Sequence, residues 1–218
     1  MDGLPFLEYL RDYQSDLVFE TYRHAVLAIQ VVFVAALIGV LFALAVYRSP
    51  WARTLLISVF VIAFTIPSLA LMGVLQPFFG LGIATVFPAL VLYALLPIIR
   101  NSIVGLRGVD AALIDSATGM GMSRTRILLR VELPLAWPVM LTGLRVAAQL
   151  TLGIVAIAAF FSGPGLGTLI FHALGNLGSV NTFNEALAGT LLVAALALIF
   201  DLAFVLIRRL TTPRGIRV

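Results

Sequence analysis

Five long apolar stretches govern what this chain can fold into. Each is long enough for a helix to cross a hydrocarbon core about 30 Å thick, which takes about 20 residues. They cover approximately residues 24–46, 55–79, 83–104, 139–161 and 186–207. We therefore predict an all-α, polytopic membrane protein with about five transmembrane helices, which form one membrane domain over residues 24–207.

The composition excludes several classes of protein. Hydrophobic residues make up 61% of the chain and charged residues 11%, with a mean hydropathy of +1.11, whereas soluble domains are about half apolar and a quarter charged. There is no cysteine, and all fourteen basic residues are arginine. A thiolate metal site needs cysteine, while a P-loop ATPase or a Schiff-base enzyme needs lysine. We expect no covalent catalysis and no cofactor in this chain.

The distribution of arginine predicts the orientation in the membrane, because positive residues near membrane helices stay on the cytoplasmic side. The second and fourth connections between the apolar stretches contain no arginine. The first connection, the third connection and the C-terminal tail carry Arg48, Arg53, Arg100, Arg107, Arg124, Arg126, Arg130, Arg208, Arg209, Arg214 and Arg217. This pattern predicts an external N-terminal segment, residues 1–23, and a basic cytoplasmic tail, residues 208–218. It is typical of topology signals and not of nucleic-acid binding.

The third connection, about residues 105–136, is predicted to contain two short helices. Asp110 is a good N-cap for a helix over residues 111–118, and Ser123 is a good N-cap for a second helix over residues 124–132. In a chain this apolar, a polar loop of this length is predicted to lie outside the membrane. It either docks on a partner or only joins two spans.

Glycine and proline predict how these two helices end. Gly119 and Gly121 permit a left-handed turn after the first helix. Leu133-Pro134 is expected to stop the second helix, because proline disfavours helix at the preceding residue and has no N–H to donate. Such a bend would present a face of small residues, Ser116 and Ala117, to a groove on a partner.

The spacing of this connection resembles a known motif. It reads Asp115-Ser116-Ala117, three residues, Gly121, nine residues, Val131, one residue, then Leu133-Pro134. This is similar to the "EAA" loop of permease subunits in binding-protein-dependent ABC importers, which reads Glu-Ala-Ala, Gly, Ile and Leu-Pro at the same spacing. The resemblance implies a coupling helix near residues 111–124 that sits in a cleft of the ATPase. The residues it implicates are Asp115, Ser116, Ala117, Gly119, Gly121, Val131, Leu133 and Pro134.

Further segments resemble the osmoprotectant branch of that family, whose substrates are glycine betaine, choline, carnitine and related quaternary amines. They are residues 65–71, 92–101, 119–122 and 131–135. The resemblance implies the type I ABC importer permease fold in the bacterial cytoplasmic membrane, surrounded by lipid. Its implied partners are ABC ATPase subunits that bind ATP and Mg, a second identical or homologous permease, and an external substrate-binding protein. Permeases for methionine or other amino acids share the coupling loop, so an amino-acid substrate is an alternative.

Proline and polar residues within the apolar stretches suggest a translocation path or hinges. Pro67 in the second stretch and Pro97 in the third each remove a backbone hydrogen bond, which favours a hinge or a cavity wall. Proline is also simply tolerated in membrane helices. Thr65, Ser68 and Gln149 could add polar lining to such a path.

Asp201 lies well inside the fifth apolar stretch, where a carboxylate is costly. It is expected to face protein or water. One interpretation makes it a contact for an ion or a cationic substrate. The other, which we favour, makes it a structural partner for Arg145 or for a backbone donor.

Other candidate sites are weak. The chain has fifteen Phe, five Tyr and two Trp, and we expect these to pack or, like Tyr47 and Trp51, to anchor spans at the interface. We predict no high-affinity aromatic cage for a quaternary amine, so the external receptor would supply specificity. His24 and His172 lack nearby metal-ligand spacing. An ion-coupled secondary transporter is a rival function, but it needs more membrane-embedded acids or related halves than Asp201 provides.

Overall fold

The computed structural model describes residues 3–212, and every regular element in that range is helical, as predicted. A π-helical turn, Leu128–Glu132, and a 3₁₀ turn, Ala159–Phe161, flank the eighth α-helix. The α-helices are α1 (Phe6–Asp12), α2 (Gln14–Val46), α3 (Pro50–Thr65), α4 (Ser68–Phe79), α5 (Ile83–Arg107), α6 (Ala111–Gly119), α7 (Arg124–Ile127), α8 (Leu133–Ala158), α9 (Gly167–Gly175) and α10 (Thr182–Thr211). Arg214 and Arg217 of the predicted tail lie outside the described residues.

Within the part of the chain that the structure describes, four helical runs are each long and apolar enough to cross a membrane: α2, α5, the run Arg124–Phe161 and α10. The second predicted span is instead a pair of helices, α3 and α4, bent by 93° at a short break. The helix that contains the first predicted span begins at Gln14, upstream of the predicted start near residue 24. Residues 14–46 contain no proline, and their one glycine, Gly39, stays helical, so the helix extends about 50 Å and its first turns protrude beyond the apolar stretch.

One end of the helix bundle, which we call the basic end, joins the first and third connections. Arg48, just after α2, donates to the carboxylate of Glu132 at 3.2 Å. The Trp137 indole of α8 donates to the Thr211 hydroxyl of α10 at 2.7 Å, which places the end of α10 there too. These regions share one end, as the arginine pattern predicts.

The opposite end, which we call the acidic end, joins the second and fourth connections and the N-terminal segment. The Gly82 amide before α5 donates to the Phe161 carbonyl at 2.8 Å. Glu20 of α2 accepts a hydrogen bond from the Gly165 amide at 3.0 Å. Because the α3–α4 pair begins at the basic end and leads to the acidic end, it counts as one crossing. The number of crossings is then the predicted five.

The core of the bundle centres on α5, which packs between α2 and α8. Leu90, Ala94 and Ile98 of α5 are completely buried. Small residues let the helices approach closely, which is how membrane helices gain packing energy. A Cβ built on Gly143 of α8 would lie 2.7 Å from the Pro97 carbonyl oxygen of α5.

We expect Gly143→Ala to weaken this contact. The added methyl would also lie 2.6 Å from the Asn101 Cβ, and such overpacking costs about 1–3 kcal/mol. Thermal unfolding of the purified subunit in detergent should show a lower midpoint. Gly153→Ala is the matched control in the same helix, because no atom lies within 4 Å of its added Cβ. Equal midpoints for the two variants would contradict the close approach.

Candidate functional site

The third connection begins with a capped helix. Asp110 has an extended backbone, and its side chain accepts a hydrogen bond from the Ala112 amide at 2.9 Å. This satisfies one of the free amides at the start of α6. The helix begins where the sequence predicts.

The end of α6 is a Schellman motif. The Met122 amide donates to the Ala117 carbonyl at 3.1 Å, and the Gly121 amide donates to the Thr118 carbonyl at 2.9 Å. Gly121 has φ +75°, as predicted, and this motif needs one left-handed residue after the helix. Of the two glycines predicted to permit this turn, Gly121 forms it, whereas Gly119 is the last residue of α6 and has no positive φ.

The surface that α6 turns outward differs from the predicted one. Ala117 is only 2% exposed, because the turn at Gly121 folds α7 back against α6. Ala117 is therefore not presented to a partner, whereas Asp115 and Ser116 are exposed. Met120 is 74% exposed at the tip of the connection. The outward surface thus combines small, acidic and apolar groups.

The second helix of the connection does not stop at Leu133-Pro134, so this prediction is wrong. Ser123 caps α7, accepting from the Arg126 amide at 3.4 Å. The chain then passes through the π-helical turn directly into α8, forming the continuous run Arg124–Phe161. The Leu133 amide donates to the Leu128 carbonyl, five residues back. This shifted pattern lets the helix continue past Pro134, which has no amide to donate.

An ion pair between buried Glu132 and half-exposed Arg48 stabilises the root of this connection. Glu132 is only 3% exposed, and its carboxylate accepts from the Tyr47 hydroxyl at 2.8 Å and from Arg48 at 3.2 Å. Burial and the neighbouring Glu132 raise the pKa of Tyr47 to about 12, so Tyr47 stays a donor. Tyr47 is thus buried and not the predicted interfacial anchor. The network links the end of α2 to the start of α8.

Sequence reasoning missed Glu132 as a functional residue. It lies between two motif residues, Val131 and Leu133, and it is an acid among arginines. That signal marks it as unusual. Its partners are 84 and 85 positions away in the sequence, so only the fold identifies them.

We expect Tyr47→Phe to destabilise the basic end. A hydrogen bond to a charged group contributes about 1.5–3 kcal/mol, and the buried carboxylate would lose one donor. Hydrogen exchange of the amides in residues 124–136 should become faster. Tyr22→Phe is the control on the same helix, since Tyr22 is 65% exposed. Unchanged protection in Tyr47→Phe would show that the bond contributes nothing.

Five of the six predicted path residues fall into two groups on different helices, and Pro97 lies apart on α5. Thr65, Pro67 and Ser68 form the break between α3 and α4, where Ile66 and Pro67 are extended. The Ile66 carbonyl accepts a hydrogen bond from the Tyr93 hydroxyl of α5. Pro67 therefore does break its span, and α5 supplies a partner for the freed carbonyl.

Pro97 behaves differently from Pro67. It lies buried inside α5, which stays helical through it. Its carbonyl accepts from the Asn101 amide group at 2.8 Å. Close packing from α2 and α8 holds this helix on both sides.

The second group joins α8 to α10. Gln149 donates to the Ala197 carbonyl at 3.0 Å. One turn further along α10, Asp201 accepts two hydrogen bonds of 2.6 Å from the Arg145 guanidinium. The favoured interpretation of Asp201, as a partner of Arg145, agrees with this geometry.

Comparisons of this chain with a family model and with individual proteins agree on one family. Residues 35–213 match the model of the family described as binding-protein-dependent transport system inner membrane component. The chain is 32% identical to the carnitine transport permease protein OpuCB of Listeria monocytogenes, covering 100% of this chain and 97% of that protein. It is 32% identical to the choline transport system permease protein OpuBB of Bacillus subtilis, covering 97% of this chain and 95% of that protein.

A further relative and a solved structure agree. The glycine betaine/carnitine/choline transport system permease protein OpuCD of Bacillus subtilis is 37% identical, covering 89% of this chain and 83% of that protein. The inward-facing MetNI methionine ABC transporter matches with a TM-score of 0.78 at 20% identity, covering 90% of this chain and 96% of that one, which identifies the fold. The chain therefore belongs to the inner membrane components of binding-protein-dependent transport systems and is a multi-pass permease subunit of an ABC importer.

Proposed function

We propose that this permease imports quaternary ammonium osmoprotectants such as glycine betaine, choline or carnitine. The observation that carries the proposal is similarity over nearly the whole chain to three permeases named for these substrates. The similarity to the methionine transporter is lower, at 20% identity. It supports the shared fold and does not favour methionine as the substrate.

The proposed ATPase docking surface is the outward face of the third connection. Leu113, Met120 and Leu129 are exposed apolar residues there. Arg124 and Arg126 are exposed beside them. Apolar residues outside a membrane that are rimmed by charge are typical of a protein interface. The partner ATPase binds ATP and Mg, because this chain has no lysine for a phosphate loop.

The proposed orientation puts the basic end in the cytoplasm, following the retention of positive residues on that side. The acidic end then faces outward and receives substrate from the external binding protein. Movement of the docked α6 would reach α2 through the π-helical turn, which contacts α6, and through the network of Tyr47, Arg48 and Glu132, which joins that turn to the end of α2.

A second permease, identical or homologous, would complete the path. The break between α3 and α4 leaves Thr65 and Pro67 exposed, while the Thr65 hydroxyl donates to the Ile62 carbonyl at 2.7 Å. Non-helical backbone at membrane depth is tolerated only where protein or a water-filled cavity surrounds it. A second permease that faces this break would supply protein contacts and would enclose water between the two subunits. Ser68 and Tyr93 lie at the same break, so this is the proposed path-lining region of the chain.

Reconstitution tests the proposal. Permease, ATPase and binding protein in proteoliposomes should take up labelled choline, carnitine or glycine betaine only when ATP is available to the ATPase. Methionine uptake is the matched specificity control and should stay at background. Uptake driven by a proton or sodium gradient without the ATPase would contradict the proposal, as would ATP-driven uptake of methionine alone.

A further inference from the structure

A cavity at the acidic end lies outside the proposed path. It has a volume of about 250 Å³ and lies among α1, the start of α2, α9 and the start of α10. Its lining includes Tyr9, Tyr13, Asp16, His172, Asn181 and Glu185. We call it the acidic-end cavity.

The N-terminal segment closes this cavity through specific contacts. The Leu4 amide donates to the Asn181 side chain at 2.7 Å, and the Leu4 carbonyl accepts from the Asn184 side chain at 2.6 Å. Tyr9 and Leu17 pack with Ala188 of α10. The wall formed by α1 is therefore held on α10 by two hydrogen bonds and an apolar contact.

Two carboxylates give the cavity negative charge. Glu185 accepts from His172 at 2.9 Å, which neutralises it only when the imidazole is protonated. Asp16 forms no ion pair within residues 3–212. With two carboxylates and one imidazole, the lining thus carries an excess of negative charge, which attracts a cation.

Tyr9 is the unusual member of the lining. It is only 4% exposed, and its hydroxyl forms no hydrogen bond within residues 3–212 but is not sealed from solvent. Burial, followed by the charges of Glu185, Tyr13 and Asp16, raises the pKa of Tyr9 to about 12, so the phenol stays neutral. Tyr9 also stacks on Tyr13, with ring centroids 4.6 Å apart. The cavity therefore combines aromatic surface with an unused polar group and two acids.

We propose that the acidic-end cavity binds a quaternary ammonium cation of the choline class. Such a head group cannot donate hydrogen bonds, so ring faces and carboxylates are the groups that attract it. The volume suits a ligand smaller than a drug molecule. Two rings make a weaker site than an enclosing aromatic cage, so affinity should be low. The choice of ligand rests on the proposed function.

The charge of the cavity also predicts selectivity. Choline is a net cation, whereas glycine betaine carries a carboxylate of its own. Asp16 and Glu185 would repel that carboxylate, because like charges at short range cost free energy. The site should therefore prefer choline to glycine betaine.

Saturation-transfer NMR can measure this binding. The permease–ATPase complex, without binding protein, would be placed in nanodiscs of phosphatidylethanolamine and phosphatidylglycerol, which contain no choline head groups. Saturation should transfer to the N-methyl protons of choline, and less to those of glycine betaine. Asp16→Asn and Glu185→Gln should each weaken choline binding roughly tenfold, since each removes one attracting charge.

Asp12→Asn is the matched control, because Asp12 belongs to α1 but does not line the cavity. It should bind choline like the wild type. The uncharged carbon analogue of choline, with a tert-butyl group, should show no transfer. Absent transfer in the wild type, or equal transfer in Asp16→Asn, Glu185→Gln and Asp12→Asn, would overturn the site. If ATP-driven uptake persists in that case, the result contradicts the cavity site and not the proposed function. Loss of all uptake would instead count against the proposed function itself.

Discussion

Gly121→Leu should abolish coupling while leaving the permease folded. A Cβ at Gly121 meets no neighbouring atom of residues 3–212 within 4 Å, so the added side chain projects into the space proposed for the ATPase. The left-handed backbone at this position adds about 1–2 kcal/mol of local strain. Co-purification of the ATPase should fall at least about tenfold, which corresponds to about 1.4 kcal/mol of lost binding. ATP-driven uptake should fall with it.

Gly178→Leu separates strain from docking. Gly178 also has a positive φ, +90°, and no atom lies within 4 Å of its added Cβ. It lies at the acidic end, before α10, where it cannot touch a partner docked at the basic end. This variant should retain the ATPase at the wild-type level. Equal loss of the ATPase in both variants would show that backbone strain, and not docking, causes the effect.

Arg145→Leu should reduce the yield of assembled complex several-fold. Its guanidinium makes two hydrogen bonds of 2.6 Å to Asp201, and removing it leaves a carboxylate without its partner in a membrane helix. Unpaired charge inside a membrane is unfavourable. Size-exclusion chromatography of the complex would measure the assembled fraction. The double variant Arg145→Leu with Asp201→Leu should recover most of it, because no unpaired charge remains.

Asp201→Asn distinguishes a structural role from a transport role. The amide keeps the shape of the carboxylate but loses its charge, so assembly should weaken and uptake should fall in proportion. Normal assembly with lost uptake would contradict the structural interpretation and favour a cation contact at Asp201. Gln149 lies one turn from Arg145 on α8. Gln149→Leu is therefore the local control for a change in polarity alone.

The spans and their grouping could be predicted because both depend on local properties. The length of an apolar stretch determines whether it crosses the membrane, and the arginine count assigns its ends. The caps of α6 and α7 at Asp110 and Ser123 are local as well, since each needs only its own side chain and the next amides. The predicted left-handed Gly121 follows for the same reason.

The incorrect predictions concern residues whose conformation or burial depends on tertiary packing. Pro67 and Pro97 carry the same local signal, but close packing keeps α5 helical while the exposed α3–α4 pair bends. Pro134 does not end a helix because the π-helical turn before it shifts the backbone hydrogen-bond pattern, so the helix continues although Pro134 has no amide to donate. Ala117 is buried only because α7 folds against α6. Neither the periodicity nor the composition of the sequence predicts these tertiary contacts.

A single cysteine at Met120 tests the central claim most directly, because the natural chain contains no cysteine. Met120→Cys places a unique thiol at the exposed tip of the third connection, and Leu177→Cys places one at the opposite end, where Leu177 is 76% exposed. A photoactivatable crosslinker on each thiol, used in the transporting complex, should join Met120→Cys to the ATPase and leave Leu177→Cys unlinked to it. A complex that transports normally, with no ATPase crosslink from Met120→Cys, would contradict the coupling role of this connection.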